Sequence, residues 1–227
     1  MDIQQEKTGM IIDVNGISLY YEVTGEGRPL VMVHGNGEDH TIFNESIALL
    51  KEYYTVYAVD SRCHGQSSAS EELHYQDMAD DMCAFLEQLD LQDVLFYGFS
   101  DGGIIGLLAA MKTDRITTLV TSGANVTPDG VKAWLKTMIS VMYLFTKDQK
   151  MKLMLTEPHI TEEMLGNITA KTLVLAGSKD LVTERETRFI ASHIPGAELH
   201  IIPGEGHGSY IVHSEKLVKY LIYAGQL

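Results

Sequence analysis

Basic residues are scarce in this sequence. Lys and Arg total 17 against 31 Asp and Glu, a formal charge of −14. Such a balance repels nucleic acid phosphates and anionic membrane surfaces, so neither is an expected partner. Cysteine is scarcer still: Cys63 and Cys83 stand alone, without metal-ligand spacing. A disulfide framework has no support, and both are read as reduced, buried, structural thiols. No apolar stretch reaches the roughly 18 residues a membrane helix needs, and "MDIQQEKTGM" lacks a basic region followed by an apolar signal core. The expectation is a cytoplasmic protein. Linkers, low-complexity segments and internal repeats are also missing, so residues 1–227 are read as one domain.

What is present is an alternation. Short, β-branched apolar runs ("MIIDV", "ISLYYEV", "LVMVH", "TVYAVD", "VLFYGF", "ITTLVTS", "KTLVLAG", "ELHIIP") are interleaved with helical periods at about 40–51, 75–89, 101–112, 183–193 and 209–224. The pattern predicts an α/β fold: a mostly parallel eight-stranded sheet flanked by helices. Asn15-Gly16 predicts a hairpin that makes the first two strands an antiparallel edge. From about 125 to 170 no strand pattern occurs, which predicts a small helical cap insertion. Its Trp134, Met138 and Met142 are candidate substrate contacts, because methionine adapts to varied apolar groups. Packing of the insertion onto the sheet explains the same stripe equally well.

Within this pattern, Gly98-Phe99-Ser100-Asp101-Gly102 links a buried strand to a helix. G-x-S-x-G in that context presents the serine on a sharp turn at the strand's carboxyl end, where glycines remove side chains that would collide. A serine hydroxyl needs a base, itself oriented by a carboxylate. His207, in "PGEGHGS" after the last strand, and Asp180, in "LVLAGSKDLVT" after the seventh, reach the same sheet edge. No such companions surround His40, His74, His159, His193, His200 and His213, which are read as structural or exposed. His64, in "DSRCHGQS", reaches the sheet's carboxyl edge and is a neighbour of the site at most. Asp101 has two readings: an acid complementing the helix dipole, or a partner for a substrate ammonium.

"HGNG", "DSRCHGQSS", "GFSDGG", "LAGSKDLVT" and "GEGHGS" follow one another in an order that resembles the α/β-hydrolase superfamily over nearly the whole chain. The resemblance implies a triad of Ser100, Asp180 and His207, and an oxyanion hole from the backbone N–H groups of Asn36 and Asp101. It also implies that His34 shapes its loop rather than reacts. The sequence departs from larger members in its short insertion and in Lys171, where many have proline. Some relatives place the acid after the sixth strand, but here no acid occurs there before Asp129. The implied activity is a serine hydrolase acting on carboxylic esters or related acyl compounds, with a small-molecule substrate and neither cofactor nor metal. A carbon–carbon bond hydrolase, a cofactor-free perhydrolase and a small-molecule receptor using the same pocket are the alternatives. A haloalkane dehalogenase would need an aspartate at position 100, and "GFSDGG" lacks dinucleotide-fingerprint spacing.

Overall fold

Hydrogen-bonded pairing joins eight strands into one sheet. In the computed structural model, which describes residues 8–227, these are β1 (Thr8–Val14), β2 (Ile17–Thr24), β3 (Arg28–Val33), β4 (Tyr54–Val59), β5 (Val94–Phe99), β6 (Ile116–Ser122), β7 (Lys171–Gly177) and β8 (Glu198–Ile202). Their order across the sheet is β1-β2-β4-β3-β5-β6-β7-β8. β1 and β2 form the hairpin at Asn15-Gly16, β2 runs antiparallel to β4 as well, and the remaining pairs are parallel.

The central strands carry apolar side chains on both faces, because helices cover both. Along β5, Val94 and Phe96 join one core layer while Leu95, Tyr97 and Phe99 join the other. α2 (Tyr75–Gln88), α3 (Asp101–Ala110) and α7 (Glu184–His193) pack on the first face; α1 (Asn44–Leu50) and α8 (Val218–Ala224) pack on the second. Between β6 and β7 lie α4 (Ala133–Thr146), α5 (Gln149–Thr156) and α6 (Glu162–Gly166). This segment is fastened where it leaves the sheet. The buried Glu186 of α7 accepts hydrogen bonds from the N–H groups of Val126 (2.9 Å) and Thr127 (3.2 Å), and Lys132 N–H donates to Leu181 O at 2.9 Å.

The last helix is shorter than the sequence period implies, since only Val218–Ala224 is helical. Tyr210 and Ile211 are fully buried in the second core, and His213, at φ +47°, donates its N–H to Ile42 O. Anchoring to core and neighbouring loop outweighs helical propensity over residues 209–217. Among the described residues, no helix is long and apolar enough to cross a membrane.

Candidate active site

The turn after β5 is strained where the sequence motif requires it. Ser100 has φ 53° and ψ −114°, and its N–H donates to Ser122 O at 2.8 Å. A Cβ at Gly98 would strike the Gly102 carbonyl, and one at Gly102 would strike the Val33 carbonyl. The two glycines therefore let β5 turn into α3 against β3.

Two loops from the far side of the sheet complete the arrangement. His207 Nε2 lies 3.0 Å from Ser100 Oγ, and His207 Nδ1 lies 2.6 Å from Asp180 Oδ1. With the proton on Nδ1, the imidazole donates to Asp180 and accepts from the serine hydroxyl. Burial alone would raise the Asp180 carboxyl pKa. The bond to His207 and those from the Val182 and Gly177 N–H groups instead hold it below the usual range. Phe99 packs on the imidazole, with ring centroids 4.9 Å apart. Gly123, at φ +62°, allows the close approach on another side, since a Cβ there would come within 2.7 Å of the His207 ring. Its place at the end of a parallel strand was the only sequence signal for it.

The loop after β3 lies against the serine. A Cβ at Gly35 would approach Ser100 Cβ to 3.1 Å. Asn36 and Asp101 line the same cavity as Ser100, and among the described residues neither backbone N–H has a hydrogen-bond partner. His34 supports this loop from beneath: Nδ1–H donates to Gly35 O at 2.7 Å, and Nε2 accepts from Ser61 N–H at 3.1 Å. Burial lowers its pKa to about 4. His64 packs on His34 and bonds to Arg62 O, outside the cavity lining, with its pKa also lowered by burial. The buried Arg62 grips Asp81 of α2 through Nε (2.6 Å) and Nη2 (2.7 Å), fixing the loop that carries His64 and Ser61.

The cavity above Ser100 is about 300 Å³. Most of its apolar wall comes from the segment between β6 and β7, where Met138, Met142, Met151 and Met154 stand beside Leu135 and Ile139. Trp134 does not join them, which corrects its candidacy as a substrate contact. Leu135, Ile139 and Met142 share the inward face of α4, and the turn of the helix points Trp134 outward, 58% exposed.

Among the described residues, the acidic ones lining the cavity are Glu38, Asp101 and Glu157, and no Lys or Arg lines it. Asp101 Oδ1 accepts from Tyr75 Oη–H and Oδ2 from Asn36 Nδ2–H, each at 2.8 Å. Burial pushes this carboxyl up, against those two bonds. Both partners donate, so the carboxyl serves as an acceptor on both oxygens, and it ties the side chain of Asn36 to α2 and α3. Glu38 Oε2 accepts from Gly35 N–H at 3.0 Å, and burial raises its pKa. Tyr75 and Glu38 had no motif to announce them. Among the described residues, one cluster brings metal-ligand donors together, Asp39, His40 and Asp60. Its donors are spent internally, His40 Nδ1 on Asp60 at 2.7 Å and Asp39 on capping Thr41.

Comparison with known proteins agrees with the fold. A family model described as alpha/beta hydrolase fold matches residues 28–150, more than half of the chain. The human serine hydrolase BPHL (Homo sapiens) is 28% identical, over 93% of this chain and 84% of its own length. 3-Oxoadipate enol-lactonase 1 of Acinetobacter baylyi is 26% identical, over 95% of each chain. An esterase structure from Exiguobacterium antarcticum superposes with a TM-score of 0.85 at 23% identity, covering 97% of this chain and 100% of that one.

Proposed function

Because the chain belongs to the alpha/beta hydrolase family, we propose that it hydrolyses carboxylic esters or related acyl compounds through an acyl-enzyme on Ser100. The observation that carries this reading is the hydrogen-bonded series Ser100 Oγ, His207, Asp180, of which Ser100 and His207 line an apolar-walled cavity.

In this reading Ser100 Oγ attacks the substrate carbonyl while His207 Nε2 takes the hydroxyl proton. The carbonyl oxygen becomes an oxyanion beside the N–H groups of Asn36 and Asp101, the latter at the positive end of α3. Collapse of the tetrahedral intermediate breaks the bond to the leaving alcohol, which receives the proton from His207. Water then attacks the acyl-serine, gives its proton to His207, and the acid departs as Ser100 regains its hydrogen. Asp180 keeps the imidazole in the required tautomer throughout and balances the charge of the imidazolium. The names of the curated relatives, a serine hydrolase and an enol-lactonase, support hydrolytic chemistry of this kind.

The test is labelling with a fluorophosphonate probe, followed by turnover of p-nitrophenyl esters of increasing acyl length. Rapid labelling located at Ser100, and ester turnover lost in Ser100→Ala, is the expected result. A serine that stays unlabelled, or a variant that keeps more than a tenth of the activity, overturns the assignment.

A further inference from the structure

The sequence of α4, "AWLKTMISVMYLFT", has more apolar faces than one packed helix needs. Leu135 and Ile139 are buried, and they face the cavity. Trp134, Met138, Val141 and Phe145 follow at i, i+4, i+7 and i+11, a second stripe along the outer face. It is open to solvent: Trp134 is 58% exposed and Phe145 84%, and the flanking Leu144 is 64% exposed. Met138 and Met142 lie between the two faces, exposed and lining the cavity at once, so the outer stripe runs without a break into the pocket mouth.

The charge around this stripe opposes that of the chain. Lys132, Lys136, Lys147, Lys150 and Lys152, five of the 17 Lys and Arg, fall between positions 132 and 152, together with one of the 31 Asp and Glu, Asp148. Lys136 pairs with Asp129, whereas Lys147 and Lys152 are exposed at and beyond the end of α4. Charges are screened over about 8 Å at physiological ionic strength, so a surface touching α4 meets these lysines together with Asp129, Asp148 and the Glu71 beside Gln149, a locally balanced to basic set rather than the net charge of −14.

We propose that the outer face of α4 and the lysines at its carboxyl end form a docking surface for an anionic lipid bilayer, which sets the pocket mouth at the membrane–water boundary. A helix with Trp, Phe and Leu on one side and lysines beside them matches the depth profile of that boundary: apolar side chains enter the acyl region and ammonium groups meet the lipid phosphates. A second copy of the chain fits less well, because a two-fold contact between α4 helices would set the same lysines against each other. The proposal does not depend on Ser100 being a nucleophile, since binding is read without turnover.

Trp134 is the only tryptophan in the sequence, so the emission of the intact protein reports on this face alone. The probes are vesicles of phosphatidylcholine with one quarter phosphatidylglycerol, compared with pure phosphatidylcholine. Expected are a blue shift of Trp134 and co-sedimentation with the anionic vesicles only. Phe145→Ser and the pair Lys147→Glu, Lys152→Glu should each weaken that affinity at least ten-fold. Unchanged circular dichroism and an unchanged melting temperature would show that these variants are folded. No shift up to millimolar lipid, equal binding to neutral vesicles, or a dimer that shields Trp134 before lipid is added would each overturn the proposal, the last by assigning the face to a second copy.

Discussion

Ser100 occupies a backbone conformation, φ 53° and ψ −114°, that a residue with a Cβ adopts only under constraint. Such strain costs about 1–3 kcal/mol, which glycine relieves at the expense of a more flexible unfolded chain. Ser100→Gly is therefore expected to melt a few degrees above Ser100→Ala, while both lose several orders of magnitude in turnover. Thermal unfolding of the two variants checks this, and equal melting temperatures would remove the strain from the account. Asp101 supports a second prediction at this scale. An ammonium about 6 Å from its carboxylate, at an effective dielectric near 20, gains on the order of 2–3 kcal/mol before desolvation. Esters with a free amino group near the scissile carbonyl should then be preferred ten-fold or more over their N-acetyl counterparts. Asp101→Asn should abolish that preference and also lower kcat, because it disturbs the bonds to Asn36 and Tyr75. If kcat/KM for the pair keeps its ratio in the variant, the carboxylate only holds Asn36.

The loops after β3 and β4 act as one element because His34 joins them, accepting from Ser61 N–H and donating to Gly35 O. Burial keeps this imidazole neutral in the folded protein down to about pH 4, whereas the unfolded chain takes up a proton near 6.5. Between those values the unfolded state binds more protons, so stability falls as the pH falls through that window. The contribution is on the order of 3 kcal/mol for a shift of this size, and His64, lowered by burial in the same direction, adds to it. Urea unfolding at pH 7 and pH 4.5 should show the loss, and His34→Gln should show a smaller difference between the two. An identical pH dependence in wild type and variant would place the titration elsewhere. The segment between β6 and β7 is tied in a comparable way, through Glu186 and the Lys132–Leu181 backbone bond, so the apolar cavity wall is joined to the loop that carries Asp180.

For the whole molecule, a charge of −14 and a cavity lined by Glu38, Asp101 and Glu157, and by no Lys or Arg among the described residues, set the field that an approaching substrate meets. Under the proposed activity, anionic esters would be repelled and cationic ones steered inward, with an effect that shortens as salt shortens the Debye length from about 30 Å at 0.01 M to about 10 Å at 0.1 M. Across that range kcat/KM should rise for an ester bearing a carboxylate, fall for one bearing an ammonium, and stay level for a neutral analogue. Parallel curves for the three would show that global charge plays no part in substrate selection.

Period and punctuation along the chain were sufficient for the strands, the hairpin at Asn15-Gly16 and the elbow at Ser100, because each depends on neighbours a few residues away. The order of Ser100, Asp180 and His207 could also be read, since parallel strands deliver their following loops to one edge. Which face of α4 turns inward could not. A 3.6-residue period says that Leu135, Ile139 and Met142 share a side, and that Trp134 and Phe145 share another, but both sides are apolar. Only the packing of α4 over the cavity separates them. The shortened last helix has the same origin, in the burial of Tyr210 and Ile211 and the bond from His213 to Ile42. Asp101 meets Tyr75 from 26 positions away and Asn36 from 65. Contacts at such separations are made by the tertiary fold, and no local pattern encodes them.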